Sequence, residues 1–383
     1  MEYVNLDTLV WFQEGPGVRN YQYVDKGIKL INVTNLVNGQ LKLHLTSRYI
    51  SEEEAFGKYK HFLCDNGDLV FASSGITYET LSKKIAFVTE KDLPLCMNTS
   101  VIRFKPINHD VCIDYIYYFF KSEKYRNQIS KLMTGSAQLN YGPSHLHKVK
   151  IPYYDIVKQT KIADELKKID ENISICYRNI DNLDNIVKSQ FIEMFGDPKV
   201  NPNGYEIKKI SDIFNVGSSK RVFESEWTDS GVPFYRAREI VKLSKDGYVD
   251  NELYITEEMY DNYKKKYGVP QEDDMMVTGV GTLGICYIVK KEDKFYFKDG
   301  NTLWFKNKGL CNVRFIRDQY NTDFVREQIE ANANASTVGT YTITNANNTR
   351  VLVPPIDLQN EYVSFCEVID KSKYFGGVNY GIC

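Results

Sequence analysis

"GVPFYRAREI" fills residues 231–240, and "GIKLINVTNL" fills residues 27–36. At an offset of 204, Gly27 falls on Gly231, Leu30 and Ile31 fall on Phe234 and Tyr235, and Leu36 falls on Ile240. The apolar positions agree and the polar ones do not: Asn32 falls on Arg236 and Thr34 on Arg238. Working outward, "VNLDTLV" (4–10) parallels "IKKISDIF" (207–214). "NGDLVFASSGIT" (66–77) parallels "EDDMMVTGVGTL" (272–283), with Asp68 on Asp274 and Gly75 on Gly281. "KIADELKKID" (161–170) parallels "EYVSFCEVID" (361–370). The order of the blocks is kept while the offset drifts, as small loop insertions require. The chain therefore reads as a tandem duplication.

Each copy alternates short strand-like runs, such as "KKIAFVTE" and "TSVIRFKP", with helical spacing in "CIDYIYYFFKSEKYRNQISKLM". The fold class predicted is α+β: two tandem mixed α/β domains related as a pseudo-twofold repeat and separated by long coiled-coil helices. Between the copies, Ile162, Leu166, Ile169, Ile173, Cys176, Ile180, Leu183, Val187, Gln190 and Met194 alternate steps of four and three. That is a heptad seam. At ~1.5 Å per residue it spans roughly 50 Å. The second copy starts the same helix with Tyr362, Cys366 and Ile369, then places Lys373 and Gly376-Gly377 where the seam would continue. The domains expected are residues 1–154, a spacer helix over 155–198, residues 199–353, and a truncated helix and tail over 354–383. Two adjacent glycines predict irregular chain over 376–383 and an uncovered seam.

A length of 383 residues suits two domains of ~150 residues with connectors. An apolar content of 43% argues for folded domains. No run of ~18 apolar residues predicts a membrane span, and no signal peptide opens the chain. The eight cysteines form no Cys-x-x-Cys pair, which predicts neither a zinc site nor a disulfide framework and fits a reducing cytoplasm. Net charge is −2, yet residues 101–150 carry eight Lys/Arg against three Asp/Glu. A local basic, aromatic-rich patch of this kind can bind phosphates.

The repeated domains, "SQFIEMFGDP" (189–198), "GVPFYRAREI" and "PPIDLQNEY" (354–362) together resemble the DNA-specificity (S) subunit of type I restriction-modification systems, over essentially the whole chain. The resemblance implies two target recognition domains that read a bipartite double-stranded DNA site. It also implies an antiparallel coiled coil that docks methyltransferase (M) subunits and, through them, restriction (R) subunits. The short last helix departs from the pattern. In this reading the apolar frame fixes the fold and the polar residues read base edges.

The candidate DNA contacts are Asn32, Thr34, Ser73, Ser74, Thr77, Lys83, Lys84, Gln138, Asn140 and Tyr141 in the first copy. In the second they are Arg236, Arg238, Thr282, Thr340 and Tyr341. Arginine leads because it contacts guanine bidentately. The candidate subunit interface is Ile162, Leu166, Ile169, Ile173, Ile180, Leu183, Val187, Met194, Tyr362 and Ile369.

Catalytic chemistry is not written into the chain. "NPNGY" (201–205) departs from the Asn-Pro-Pro-aromatic signature of amino-methyltransferases at Asn203. "GVGTLG" (279–284) aligns with "SSGITY" (73–78), which keeps one of its three glycines, so it reads as a turn and not a phosphate cradle. No cofactor and no metal are expected, and a non-catalytic subunit is. The alternatives are a methyltransferase or nuclease with a fused reader, and a truncated allelic cassette that no longer assembles.

Overall fold

The computed structural model describes residues 2–133, 140–250, 252–333 and 339–379. The chain forms two compact units, Met1–Ser174 and Ile175–Cys383. The boundary falls inside one 40-residue helix, Ile156–Phe195. That helix contains no Gly or Pro, and it stops where Gly196 takes a positive φ of 75°. No helix among the described residues is long and apolar enough to cross a membrane.

In the first unit, Val10–Glu14, Val101–Pro106, Leu69–Ala72 and Ile85–Phe87 form an antiparallel sheet in that spatial order. A small sheet sets Ile28–Ile31 between antiparallel Tyr49–Ile50 and parallel Leu95–Met97. Tyr3–Asn5 pairs with Lys150–Pro152 and brings the ends of the domain together. The second unit repeats all three assemblies. Its main sheet is Phe214–Gly217, Thr302–Asn307, Met275–Thr278 and Cys286–Ile288. Its small sheet sets Val232–Tyr235 between Tyr254–Ile255 and parallel Tyr296–Phe297. Glu206–Lys209 pairs with Arg350–Val353.

Glutamines that serve as backbone clips repeat as well. Gln128 exchanges hydrogen bonds with the backbone of Lys150, as Gln328 does with Arg350. Gln159 accepts from Cys112 N and donates to Tyr154 O; Gln359 accepts from Asn312 N and donates to Pro354 O. A buried amide leaves no polar atom unsatisfied when it meets both a backbone donor and an acceptor. The Gln159 and Gln359 clips fasten each helix that follows a domain onto that domain, and the Gln128 and Gln328 clips tie a helix to a strand within it.

The units diverge just after the first strand of each small sheet. The first continues into a short hairpin, Leu36–Val37 with Gln40–Leu41. The second continues into a helix, Ala237–Asp246.

The heptad seam is divided by what it packs on. Ile162 lies against the core of the first unit, and Val187 and Met194 lie against that of the second. Leu166, Ile173, Ile180 and Leu183 are half-buried, and Ile169 is 52% exposed. Phe191 and Phe195, which are off the seam, are the deeply buried residues at the end of this helix. They meet Phe315 and Tyr362 at ring separations of 4.9–5.7 Å.

The last helix differs from expectation. It runs from Ile356 to Asn379, through Gly376-Gly377; residues 380–383 lie outside the described residues. Within the second unit it is antiparallel to the 175–195 stretch, with Tyr362 beside Phe191 and Lys373 paired with Asp184. Cys176 is buried, and Ile369 is half-buried. A helix-interior glycine costs ~1 kcal/mol relative to alanine. Upstream of the glycines the helix is anchored by Tyr362, Val363 and Cys366, which are buried in the second core, and most helical stability in proteins comes from such tertiary packing. The lysine that breaks the apolar pattern is matched by Asp184 and, at 3.9 Å, by Asp370.

Candidate nucleic-acid interface

The candidate contacts are scattered in sequence, but the sheet registers gather most of them at one end of each unit. In the first unit, Leu69–Ala72 ends at Ser73, whose N–H donates to Ser100 O and whose carbonyl accepts from Tyr141 N. Ile28–Ile31 ends where Ile31 O accepts from Asn98 N, with Asn32 following. Gly15 and Pro16 close the same end: Gly15 N donates to Val101 O, and Pro16 O accepts from Thr99 N. A side chain on Gly15 would put its Cβ 2.1 Å from Asn98 O, so only glycine allows these loops to meet. Lys84 Nζ donates to Val33 O at 3.3 Å.

The second unit builds the same edge. Gly279 N donates to Asn301 O, Gly279 O accepts from Tyr341 N, and Tyr235 O accepts from Lys298 N. A Cβ on Gly279 would lie 2.9 Å from Tyr341 O. Gly300 N donates to Ser218 Oγ, which adds the 217–222 loop to the edge. The glycine turn is held from behind. Thr278 Oγ1 donates to Thr282 O, and Arg326 Nη1 donates to Leu283 O at 2.6 Å. Gly281 and Thr282 remain exposed at the tip.

Thr34, Thr77, Lys83 and Asn140 are exposed, Ser74 and Thr340 half-buried. Gln138 lies outside the described residues. Tyr141 and Tyr341, expected at the surface, are core residues that are 4% and 1% exposed. Tyr341 OH bonds Tyr320 OH at 3.2 Å and Thr349 Oγ1 at 2.7 Å, and burial pushes its pKa up to about 12. Burial pushes the Tyr141 hydroxyl well above its ordinary value too. Ser73 is buried, with its hydroxyl donating to Glu14 Oε1 at 3.0 Å. A ring or hydroxyl consumed by the core has no free face for a base, so these three residues hold the loops up from beneath.

Asn32 and Arg236 occupy equivalent positions and both cap. Asn32 Oδ1 accepts from Thr34 N, while Asn32 N donates to Asn35 Oδ1 at 3.1 Å. Arg236 N donates to Glu239 Oε2 at 2.9 Å. Asn35 and Glu239 are both buried, one as an amide and the other as a carboxylate. Around Glu239, Arg236 donates from Nε to Oε2 at 3.2 Å and from Nη2 to Oε1 at 2.9 Å. Arg238 donates from Nε to the same Oε1 and from Nη2 to Glu252 at 2.6 Å. Burial opposes ionisation of Glu239, but the hydrogen bonds from Arg236 and Arg238 outweigh it and hold the carboxyl below its ordinary value. Sequence reasoning missed Asn35 and Glu239, although a cap followed three residues later by an acceptor is a readable signature. It also missed Lys220 and Arg221, exposed on the 217–222 loop, and Arg19, exposed on the corresponding loop of the first unit.

A family described as the type I restriction modification DNA specificity domain matches the chain twice, over residues 19–184 and 202–374. A type I restriction enzyme specificity subunit of Haemophilus influenzae is 24% identical over 246 residues, covering 62% of this chain and 60% of that protein. The MjaVIII specificity subunit of Methanocaldococcus jannaschii is 26% identical over 176 residues, covering 45% of this chain and 40% of that protein. The chain thus spans less than two thirds of the length of these curated relatives. The crystal structure of a type I restriction-modification S subunit from M. genitalium superimposes with a TM-score of 0.54 at 15% identity, covering 99% of this chain and 92% of that one. A chain from structural work on assembly and conformational transition of the type I R-M system also gives 0.54, at 11% identity and with the same coverage. At these identities the two structures establish a shared fold.

Proposed function

The chain belongs to the type I restriction modification DNA specificity family and carries two of its domains; from that premise we propose that it is the specificity subunit of a restriction-modification complex, reading a bipartite duplex target with one loop edge per domain. The observation that carries this reading is the duplicated edge. Ser73 and Gly279, Ser100 and Asn301, and Tyr141 and Tyr341 keep the same backbone bonds, while the residues exposed around them differ. Backbone-anchored loops fix geometry, and changed polar tips give each domain its own base preference.

In the first domain Thr34, Ser74, Thr77 and Asn140 are the base-reading candidates, with Lys83 and Lys84 on phosphates. In the second they are Arg236, Thr282 and Thr340, with Arg238 on the rim. The subunit is non-catalytic and works in the cytoplasm. Its helices dock methyltransferase subunits, through which restriction subunits join.

The test is to assemble the intact chain with methyltransferase subunits and map methylated sites on genomic DNA. A gapped motif with two unlike halves is expected, and Thr282→Ala should alter one half only. A single continuous motif, or no sequence preference, contradicts the proposal.

A further inference from the structure

The two arginines of the second domain are not equivalent. Arg236 is mostly buried at its side chain, 26% exposed, against a carboxylate that is 3% exposed. Glu239 grips it from the side, through Nε and Nη2, while also accepting its backbone N–H. Among the described residues no hydrogen bond engages Nη1. A guanidinium held along its Nε–Nη2 edge keeps its end-on Nη1–Nη2 edge free, and that edge forms the fork complementary to O6 and N7 of guanine. Arg238 is 56% exposed, and its second partner, Glu252, is 74% exposed. Its guanidinium bridges the buried Glu239 and the exposed Glu252, so it sits at the rim and not in the cradle.

The first domain has none of this apparatus. Asn35 stands where Glu239 stands, and its amide is consumed by Asn32 N, Thr46 Oγ1 and Lys42 O. The capping geometry alone needs only an acceptor, and an amide oxygen supplies one. A carboxylate at this position is therefore in excess of what the fold requires, and its additional partners are the two arginines.

Resting on the reading that the second domain contacts DNA at its loop edge, we infer that Glu239 is a positioning residue for base recognition: it fixes Arg236 so that its free edge meets one guanine, while Arg238 serves a neighbouring phosphate.

The experiment is selection of bound duplexes from a library with a randomised central stretch, using the intact chain and sequencing the enriched pool. Wild type should enrich guanine at one base pair of one half-site, and Arg236→Ala should abolish that preference without touching the other half. In Glu239→Gln the amide oxygen can still accept from Arg236 N, but its NH2 faces the guanidinium as a donor. The guanine preference at that same pair should fall by about ten-fold, with the unfolding temperature measured alongside. Glu239→Asp keeps the charge and Arg236 but draws the carboxylate back by one methylene, so it should also lower the preference and serves if Glu239→Gln does not fold. Arg238→Ala should weaken all duplexes alike and reduce the salt slope by about 1.

A folded Glu239→Gln that binds every duplex more weakly, with its base preference intact, overturns the positioning role but leaves Arg236 as a reader. Unchanged preference in Arg236→Ala overturns recognition by Arg236 itself. A wild-type chain that enriches nothing overturns the DNA-reading proposal from which the inference starts.

Discussion

Residues 32–35 and 236–239 are the same turn written in different chemistry. In both, the residue that follows the first strand of the small sheet caps the next element, and a buried side chain three positions on accepts its N–H. In the first unit that side chain is Asn35, neutral and satisfied by nearby backbone and the Thr46 hydroxyl. In the second it is Glu239, which needs cations and has two. The difference separates what a frame requires from what a surface is free to vary. The acceptor is frame. Its charge is not, and where charge is present it organises the arginines above it.

Asp68 and Asp274 sharpen the same point, and the largest effect is expected there. Both accept a backbone N–H from three residues upstream, Asp65 and Gln271 respectively. Asp68 also faces the buried guanidinium of Arg103 and the ammonium of Lys105. Asp274 instead takes the indole N–H of Trp304 at 2.8 Å. Asp68→Ala should destabilise the first unit by roughly 3–5 kcal/mol, because it strands a buried cation. Asp274→Ala should cost the second roughly 1–3 kcal/mol for unpaired neutral donors. Chemical denaturation followed by probes in each unit measures both, and equal losses would break the comparison.

Next in size is the base-specific effect. Arg236→Ala should cost ~1–3 kcal/mol at one base pair of one half-site. Thr34→Ala should affect only the other half, and by less, since a lone hydroxyl lacks the guanidinium fork. Methylation profiles of the assembled variants read both changes.

The smallest effect is on pH dependence. Glu239 is held below the usual carboxylate value of 4.5, so its contribution is complete above that value and is lost as pH falls through the depressed one. Acid titration of stability should therefore show a component in the second unit, lost on lowering pH below about 4.5, that Glu239→Gln removes. Asn35→Asp in the first unit should create no matching stabilisation, since no arginine stands at Asn32.

Much of this is legible in the sequence, for a physical reason. Apolar frame residues such as Leu30, Ile31, Phe234 and Tyr235 recur because the same sheets must close twice. The heptad steps from Ile162 to Met194 are visible because a helix repeats at fixed intervals. The direction in which a loop residue points is not visible in the same way. Tyr141 and Tyr341 stand among polar loop residues, yet they belong to the core, because their N–H groups pin them beneath the turns at Ser73 and Gly279. Gly376-Gly377 reads as a helix end by propensity alone. The helix runs on through them from a stretch whose Tyr362, Val363 and Cys366 are anchored in the second core, and that tertiary anchoring is not visible in the local sequence.

The two domains share one frame, and in the proposed reading they differ in the bases they read. Each domain closes on an antiparallel pair that brings its ends together, Tyr3 opposite Pro152 and Glu206 opposite Val353. This makes one domain replaceable by the other. A chain whose residues 3–152 are replaced by its own residues 206–353 can be assembled and its target sequenced. A target made of two identical half-sites is expected, each the one that Arg236→Ala disturbs in the natural chain. Recovery of the natural, unlike half-sites from this doubled chain would contradict it.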